Sequence, residues 1–297
     1  MPESSPKPSE RSVEALLLIV VFIWAANAPL AKFGISGLDI YVFNAIRYIV
    51  AGVALTSIAL LRSEWKAVDR RDWPNLVALG LLANVIYQLA YIIGLKNTSV
   101  GNSVILLSTS PLWTAFFNAR IHKEAISRRT WLAMTISLGG IVLIVLGSGT
   151  ELGFGSNALK GDFLSLIAAL LWALNTNYQK SFLKRYSAVQ LSVILIGVGA
   201  IGLTVVALPN AMSMSWGDIG IEYYLAAVAS GALSIAAANV LWTFGVKRIG
   251  PRRTSAFNNL IPVLAIALAY VTLGEEVSLL QTAGASVTLI GVWFARS

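Results

Sequence analysis

The chain has 297 residues, of which 57% are apolar and only 12% charged, with a mean hydropathy of +0.74 and a formal net charge of +8. Too few polar positions remain to cover a water-facing globule of this size, which excludes an ordinary soluble protein and marks a polytopic membrane protein. The absence of cysteine excludes disulfides and thiolate metal sites; the basic excess lies where it orients helices in a bilayer, not where it would track nucleic acid.

Taken in order, residues 1–12 are rich in Pro, Ser and Glu with Lys7 and Arg11, and read as a short disordered cytoplasmic tail. The apolar run from Ala15 to Trp24, followed by Ala26, Asn27 and Ala28, imitates a secretory signal with its small-residue cleavage site. Because Trp24 and Asn27 recur later in the chain, this stretch is expected to be retained as the first span. Apolar segments of roughly 20 residues, the length a helix needs to cross hydrocarbon, fall at 13–34, 39–61, 73–95, 100–120, 130–148, 161–181, 187–208, 222–246, 252–273 and 277–295. The links between them are too short for a soluble domain. The segments are apolar on all sides and do not alternate, which argues against a transmembrane barrel. The fold class is all-α integral membrane, with ten transmembrane helices. Trp65, Trp73, Trp131 and Trp293 lie at span ends, as interfacial anchors do.

The second half of the chain repeats the first. At an offset of 151, Gly80, Gly94, Lys96, Pro111, Glu124, Ser127 and Gly140 meet Gly231, Gly245, Lys247, Pro262, Glu275, Ser278 and Gly291. Earlier in each half the offset is 148, pairing Trp24, Ala25, Asn27 and Lys32 with Trp172, Ala173, Asn175 and Lys180. Residues 13–148 and 161–297 therefore read as two five-helix repeats, and an odd number of spans makes the copies enter from opposite faces, the inverted topology common in secondary transporters. Of the 22 Lys and Arg, 18 fall in the N-terminal tail, the C-terminus and the links after spans two, four, six and eight, against Lys32, Lys96 and Lys160 on the other face. This asymmetry puts both termini in the cytoplasm. The remaining one, Arg47, lies well inside span two.

Polar side chains deep in a bilayer mark helix contacts or a cavity. In span three, Asn84, Tyr87, Gln88 and Tyr91 recur at helical spacing, and span eight carries Asn239 and Trp242 where Gln88 and Tyr91 stand in span three. Span one has Trp24 and Asn27, span six Trp172, Asn175 and Tyr178, span four Ser103, Ser110 and Thr114, and span nine Asn258, four residues before Pro262. As a set they predict a cavity with aromatic walls and amide hydrogen-bonders, suited to a ring-bearing or amphipathic solute; taken singly, each is equally an ordinary helix-packing residue. Arg47, about 12 Å along its helix, is too deep to snorkel easily and is read either as attracting a carboxylate solute or as a structural partner. Pro111 and Pro262, at matched positions, should bend or unwind their spans, as hinges or as static kinks. Gly52, Gly80, Gly139, Gly140, Gly197, Gly199, Gly231 and Gly291 are expected at close helix contacts.

The stretch from Ala256 to Glu275 with Ser278 to Gly291, and its copy around Ser103 to Glu124 and Ser127 to Gly140, carries a Pro within a span, then Gly-Glu, Ser, Gln281, Gly284 and Gly291. This pattern resembles the EamA-type repeat of the drug/metabolite transporter superfamily, as does Arg47 followed by Ala51-Gly52; the first copy departs from it, with His122-Lys123-Glu124 where Gly-Glu is usual. The resemblance implies a ten-helix exporter of small metabolites in a bacterial inner membrane, with a central cavity between the halves. Within the superfamily the chain is most similar to exporters of amino acids, particularly aromatic ones, with exporters of drugs or other amphipathic metabolites as the alternative. An integral-membrane enzyme is disfavoured, because zinc-protease His-Glu-x-x-His and Gly-x-Ser-x-Gly are absent; a non-transporting receptor leaves the inverted duplication unexplained. No cofactor or metal is expected. The expected partners are a small-molecule solute and membrane lipid. The carboxylates nearest a span, Glu14, Asp39, Glu124, Asp162, Glu222, Glu275 and Glu276, are placed at span ends and His122 in a link, so no internal proton relay is expected and export would run down the solute's own gradient.

Overall fold

The computed structural model describes residues 10–62, 65–121, 128–147, 156–249, 257 and 260–296. These form eleven helices that make ten spans: α1 (Glu10–Gly37), α2 (Ile40–Arg62), α3 (Trp73–Asn97), α4 (Val100–Leu107) continuing in α5 (Ser110–Ile121), α6 (Arg128–Gly147), α7 (Asn157–Phe182), α8 (Ala188–Ser213), α9 (221–249), α10 (Leu260–Leu273) and α11 (Leu279–Arg296). Six of the described helices are long and apolar enough by themselves to cross a membrane, and Trp131–Ile144, Leu260–Leu273 and Leu279–Gly291 are shorter apolar stretches. The helix begins at Glu10, so Glu10 to Ser12 belong to α1 and not to a tail.

Local chemistry fixes where several spans begin. Ser99, Ser156 and Ser187 stand in extended conformation one residue ahead of α4, α7 and α8, and each hydroxyl accepts the backbone N–H three residues on, from Asn102, Leu159 and Gln190. Asp39 does the same for α2, its Oδ1 accepting from Tyr41 and Val42 at 2.9 and 3.1 Å. Such caps satisfy donors that have no partner within the helix.

Helix packing obeys the inverted duplication. Exchanging α1 with α7, α2 with α8, α3 with α9, the α4/α5 span with α10, and α6 with α11 maps the most extensive helix contacts among the described residues onto one another. Thus α1 packs on α9 and α10, as α7 packs on α3 and on α4 and α5; α2 against α8, and α6 against α11, are self-matched pairs. Close approach at matched glycines holds these seams. A Cβ on Gly284 of α11 would sit 2.6 Å from the Gly140 carbonyl of α6, and one on Gly291 2.8 Å from the Ala133 carbonyl. Gly80 presses α3 onto Val198 of α8, and its match Gly231 presses α9 onto the α2 backbone, where a Cβ would lie 2.9 Å from the Arg47 Cα. Gly139 and Gly197, expected at such contacts, instead face open space.

Span four is not one continuous helix. It breaks at Ser108 and Thr109, whose hydroxyls bond back to the Val104 and Leu106 carbonyls, and α5 restarts at Ser110 with Pro111 in its first turn. A proline donates no N–H and disfavours helical backbone in the residue before it, so the interruption precedes Pro111 and is not centred on it. Its match, Pro262, lies in the first turn of α10 and is buried. Asn258, His122, Glu124 and Ser127 lie outside the described residues. Two further prolines lie within helices where the sequence pattern had drawn no attention to them, Pro29 in α1 and Pro209 in α8.

Candidate functional site

Both third helices of the repeats contain a π-helical segment, Leu82–Ile86 in α3 and Ser230–Ala237 in α9. The two segments overlap under the offset that relates the halves. A π turn accommodates an extra residue and rotates the helix beyond it, and such turns concentrate at functional sites. Just beyond them, Tyr87 of α3 and Trp242 of α9 meet the other half, while Gln88 faces Asn44 and Tyr48 of its own half and Asn239 bonds back to its own helix.

The result is a layer of rings and amides in the middle of the bundle. Trp242 lies 5.1 Å from Trp24 of α1, centroid to centroid, and the Trp24 indole donates to the Ser234 carbonyl of the π segment at 3.1 Å. On the other side Tyr87 lies 5.4 Å from Trp172 of α7 and stacks on Tyr91 at 6.3 Å with only 6° between planes. The matched tryptophans of the two repeats, Trp24 and Trp172, therefore each meet an aromatic residue from a third helix of the other half. Trp24, Tyr87, Trp172 and Trp242 keep part of their surface open, whereas Asn27, Gln88, Tyr91 and Asn175 are buried. Asn27 Oδ1 accepts from Ser230 Oγ at 2.5 Å, Asn175 Oδ1 from Gln179 Nε2 at 2.8 Å, and Asn239 Nδ2 donates to the Ile235 carbonyl at 2.6 Å. Tyr178 stands apart from these ring pairs, 51% exposed.

Arg47 of α2 is 2% exposed. Its Nη1 donates to Asn44 Oδ1 at 2.9 Å, and the guanidinium lies 5.5 Å over the Phe43 ring. Asn44 Oδ1 also accepts from Gln88 Nε2 at 3.0 Å, and Tyr48 bridges to Gln88 and Asn84, which donates in turn to the Leu195 carbonyl of α8 at 3.0 Å. Neither Asn44 nor Tyr48 had been singled out in the sequence. Their signal was available: Asn44 stands three residues before Arg47, one turn away on the same face.

A second polar cluster closes one end of the bundle. Lys32 Nζ of α1 donates to the Leu95 carbonyl at 2.7 Å and to the Thr98 carbonyl, at the end of α3. Glu275, in the link before α11, accepts the Val100 N–H at the start of α4 at 2.8 Å and attracts Lys32. Asp162 had been expected at the end of a span; in α7 it is 3% exposed, accepting from Thr98 Oγ1 at 2.6 Å and from Asn102 Nδ2 at 3.3 Å. Gln281 of α11 then donates to Asn102 Oδ1 at 2.9 Å. Helices α1, α3, α4, α7 and α11 are knotted together there, and a small hollow bounded by Ser99, Asn102, Glu275 and Gln281 lies within the knot. At the opposite end, Tyr186 after α7 donates to Asp72 before α3 at 2.5 Å and accepts from the Asp69 N–H, with Arg185 paired to Asp72 at 2.6 Å. Hydrogen bonding to the Asp72 carboxylate pushes the Tyr186 hydroxyl above the usual phenol range.

Two inverted halves that share a central aromatic layer, with a polar closure at one end, define a membrane transporter. The chain matches the EamA-like transporter family over residues 11–146 and again over 159–297, and it belongs to that family. Its relatives include the uncharacterized transporter YdfC of Bacillus subtilis, 25% identical over 93% of this chain and 88% of the relative. An uncharacterized transporter of Archaeoglobus fulgidus is 24% identical over 95% of this chain and 96% of its own length. The WAT1-related protein At2g40900 of Arabidopsis thaliana is 28% identical over 86% and 71%. A crystal structure at 20% identity superposes with a TM-score of 0.65 over 97% of both chains, which shows the shared fold.

Proposed function

We propose that this transporter exports small metabolites across a bacterial inner membrane, amino acids including aromatic ones, by exposing the central layer alternately to either side. The observation that supports this reading best is the pair of ring contacts made by the matched tryptophans, Trp24 with Trp242 and Trp172 with Tyr87. Flat faces flanked by amides hold a ring-bearing solute and orient its polar end. Tyr178 would contribute only at the margin, and Asn258 keeps its proposed role as a polar contact near Pro262. The described central layer contains no carboxylate, which a cationic drug would want, so an amino acid fits better than a cationic drug.

The excess of Lys and Arg in the links supports a reading with both termini and the Asp72 end in the cytoplasm and the Lys32 knot outside. In this conformation the knot is the outer closure, and opening it while the other end closes would carry the solute across. The break ahead of Pro111 supplies a place to bend, and Pro262 in the first turn of α10 a matched one. Because Asp162 and Glu275 belong to the outer closure and not to the central layer, transport proceeds down the solute's gradient without an internal proton relay. The test is efflux of a panel of radiolabelled amino acids from proteoliposomes, with and without a protonophore. Loss of phenylalanine, tyrosine or tryptophan insensitive to protonophore is expected; retention of the whole panel would sink the reading.

A further inference from the structure

The polar network of the central layer has an imbalance of sign. Arg47 carries a full positive charge at 2% exposure, Asn44 is fully buried beside it, and among the described residues no carboxylate faces either. The ionisable groups close to Arg47 are Tyr48, Tyr87 and Tyr91, all phenols that are neutral at physiological pH. Two buried polar atoms there have no hydrogen-bond partner, Arg47 Nε and Asn44 Nδ2, and both are N–H donors. Asn44 Oδ1, the acceptor that could have answered them, is already shared between Arg47 Nη1 and Gln88 Nε2. A buried cation without a counter-ion is costly, and buried donors without acceptors add to that cost, so the site demands an acceptor-rich anionic group and would disfavour an amine that brings no carboxylate with it.

We propose that Arg47 and Asn44 form the docking site for the carboxylate of the transported solute. The inference rests on the transport reading above and names the solute's obligatory group. A carboxylate offers two oxygens to the two unpaired donors, and the guanidinium fork suits that planar shape better than a lysine ammonium would. Tyr87 and Tyr91 stack beside the charge and lead to Trp172, so a carboxylate held at Arg47 directs the rest of the molecule to the aromatic face. The close seat of Gly231 on the Arg47 backbone joins this donor pair to the π segment of the other half, so binding there is felt by both repeats.

The test measures ligand-induced stabilisation of the purified, lipid-reconstituted protein and does not depend on transport. Tyrosine and 3-phenylpropionate should each raise Tm by about 2 °C or more at saturation, while tyramine and phenethylamine, which keep the ring and lose the carboxylate, should not. Adding chloride alone to a low-salt buffer that contains no carboxylate reports on an inorganic anion; stabilisation by chloride alone would overturn the assignment. The discriminating variant is Asn44→Asp, which keeps the acceptors for Arg47 and Gln88 and supplies a permanent counter-charge. It should be at least as stable as the native protein without ligand, yet lose the response to carboxylates by tenfold or more in apparent affinity. Arg47→Lys, which retains the charge without the fork, should fall between the two. Equal responses to tyrosine and tyramine, no response to any carboxylate, or an undiminished response in Asn44→Asp would each refute the proposal. Stabilisation by 3-phenylpropionate without efflux of any amino acid would leave this site standing and overturn only the choice of amino acids as cargo.

Discussion

Replacing Lys32 by Met removes the charge that ties α1 to the end of α3 while preserving the length of its aliphatic stem. Two charge-assisted hydrogen bonds are lost, to the Leu95 and Thr98 carbonyls, together with the attraction of Glu275. Hydrogen bonds to charged groups contribute about 1.5–3 kcal/mol each in buried settings. Lys32 is only partly buried, and screening brings the pair together to about 2 kcal/mol. Since 1.4 kcal/mol is a factor of ten, the balance between closed and open outer ends should shift roughly 30-fold toward open. The chain has no cysteine, so a single Ser103→Cys reports cleanly: Ser103 is fully buried just behind the knot, bonded to Ser165 at 3.0 Å. Its labelling by a membrane-impermeant maleimide added on the Lys32 side should accelerate by about that factor in Lys32→Met, and remain unchanged in the exposed neighbour variant Lys160→Met. Labelling within about twofold of the native rate would refute the assignment of this cluster as a closure.

Alanine at Trp24, Tyr87 or Trp172 should reduce transport by about 1–3 kcal/mol in apparent transition-state or binding energy with expression intact, whereas Trp65→Ala and Trp131→Ala at the span ends should not; normal efflux in all three central variants would reduce the layer to packing. Gly284→Val drives a side chain into the Gly140 carbonyl, and should lower stability by about 1–3 kcal/mol, read as a fall in Tm; an unchanged Tm means α6 and α11 are not seated as described. Tyr186→Phe forfeits the bonds to Asp72 and Asp69 and should lower Tm, a loss to which Asp72→Asn should not add in the double variant if one network holds both. Cysteines at Ser215 and Arg128 should label from opposite sides of the membrane, and labelling of both from one side would reverse the proposed topology.

The spans and their inverted duplication could be read from the chain because hydrocarbon thickness dictates segment length and the matched Gly, Pro and Trp positions survive in both copies. Gly80 and Gly231 show how literal that reading was, since each sits at the same kind of seam. What escaped was conformational. A π segment has no simple residue signature, so the stripe from Asn84 to Tyr91 was read with an α-helical period, although the structure turns Asn84 to α8 and Tyr87 to Trp172. The break in span four was attributed to Pro111 itself and not to the residues before it. Asp162 looked terminal because it is near the start of α7, yet five helices converge over that end and bury it; depth in a bundle depends on neighbours, not on position along one helix. Arg47 stood out as a charge within a span, but the shortage of acceptors around it became visible only with Asn44 and Gln88 in place.

The most direct measurement of the central claim is counterflow. Proteoliposomes loaded with about millimolar unlabelled tyrosine are diluted into trace labelled tyrosine, with no pH or potential gradient. A carrier that exposes one site alternately to either side should accumulate label transiently above the outside concentration and then release it. Label that never exceeds equilibrium with tyrosine, phenylalanine or tryptophan would contradict alternating exposure of the central layer.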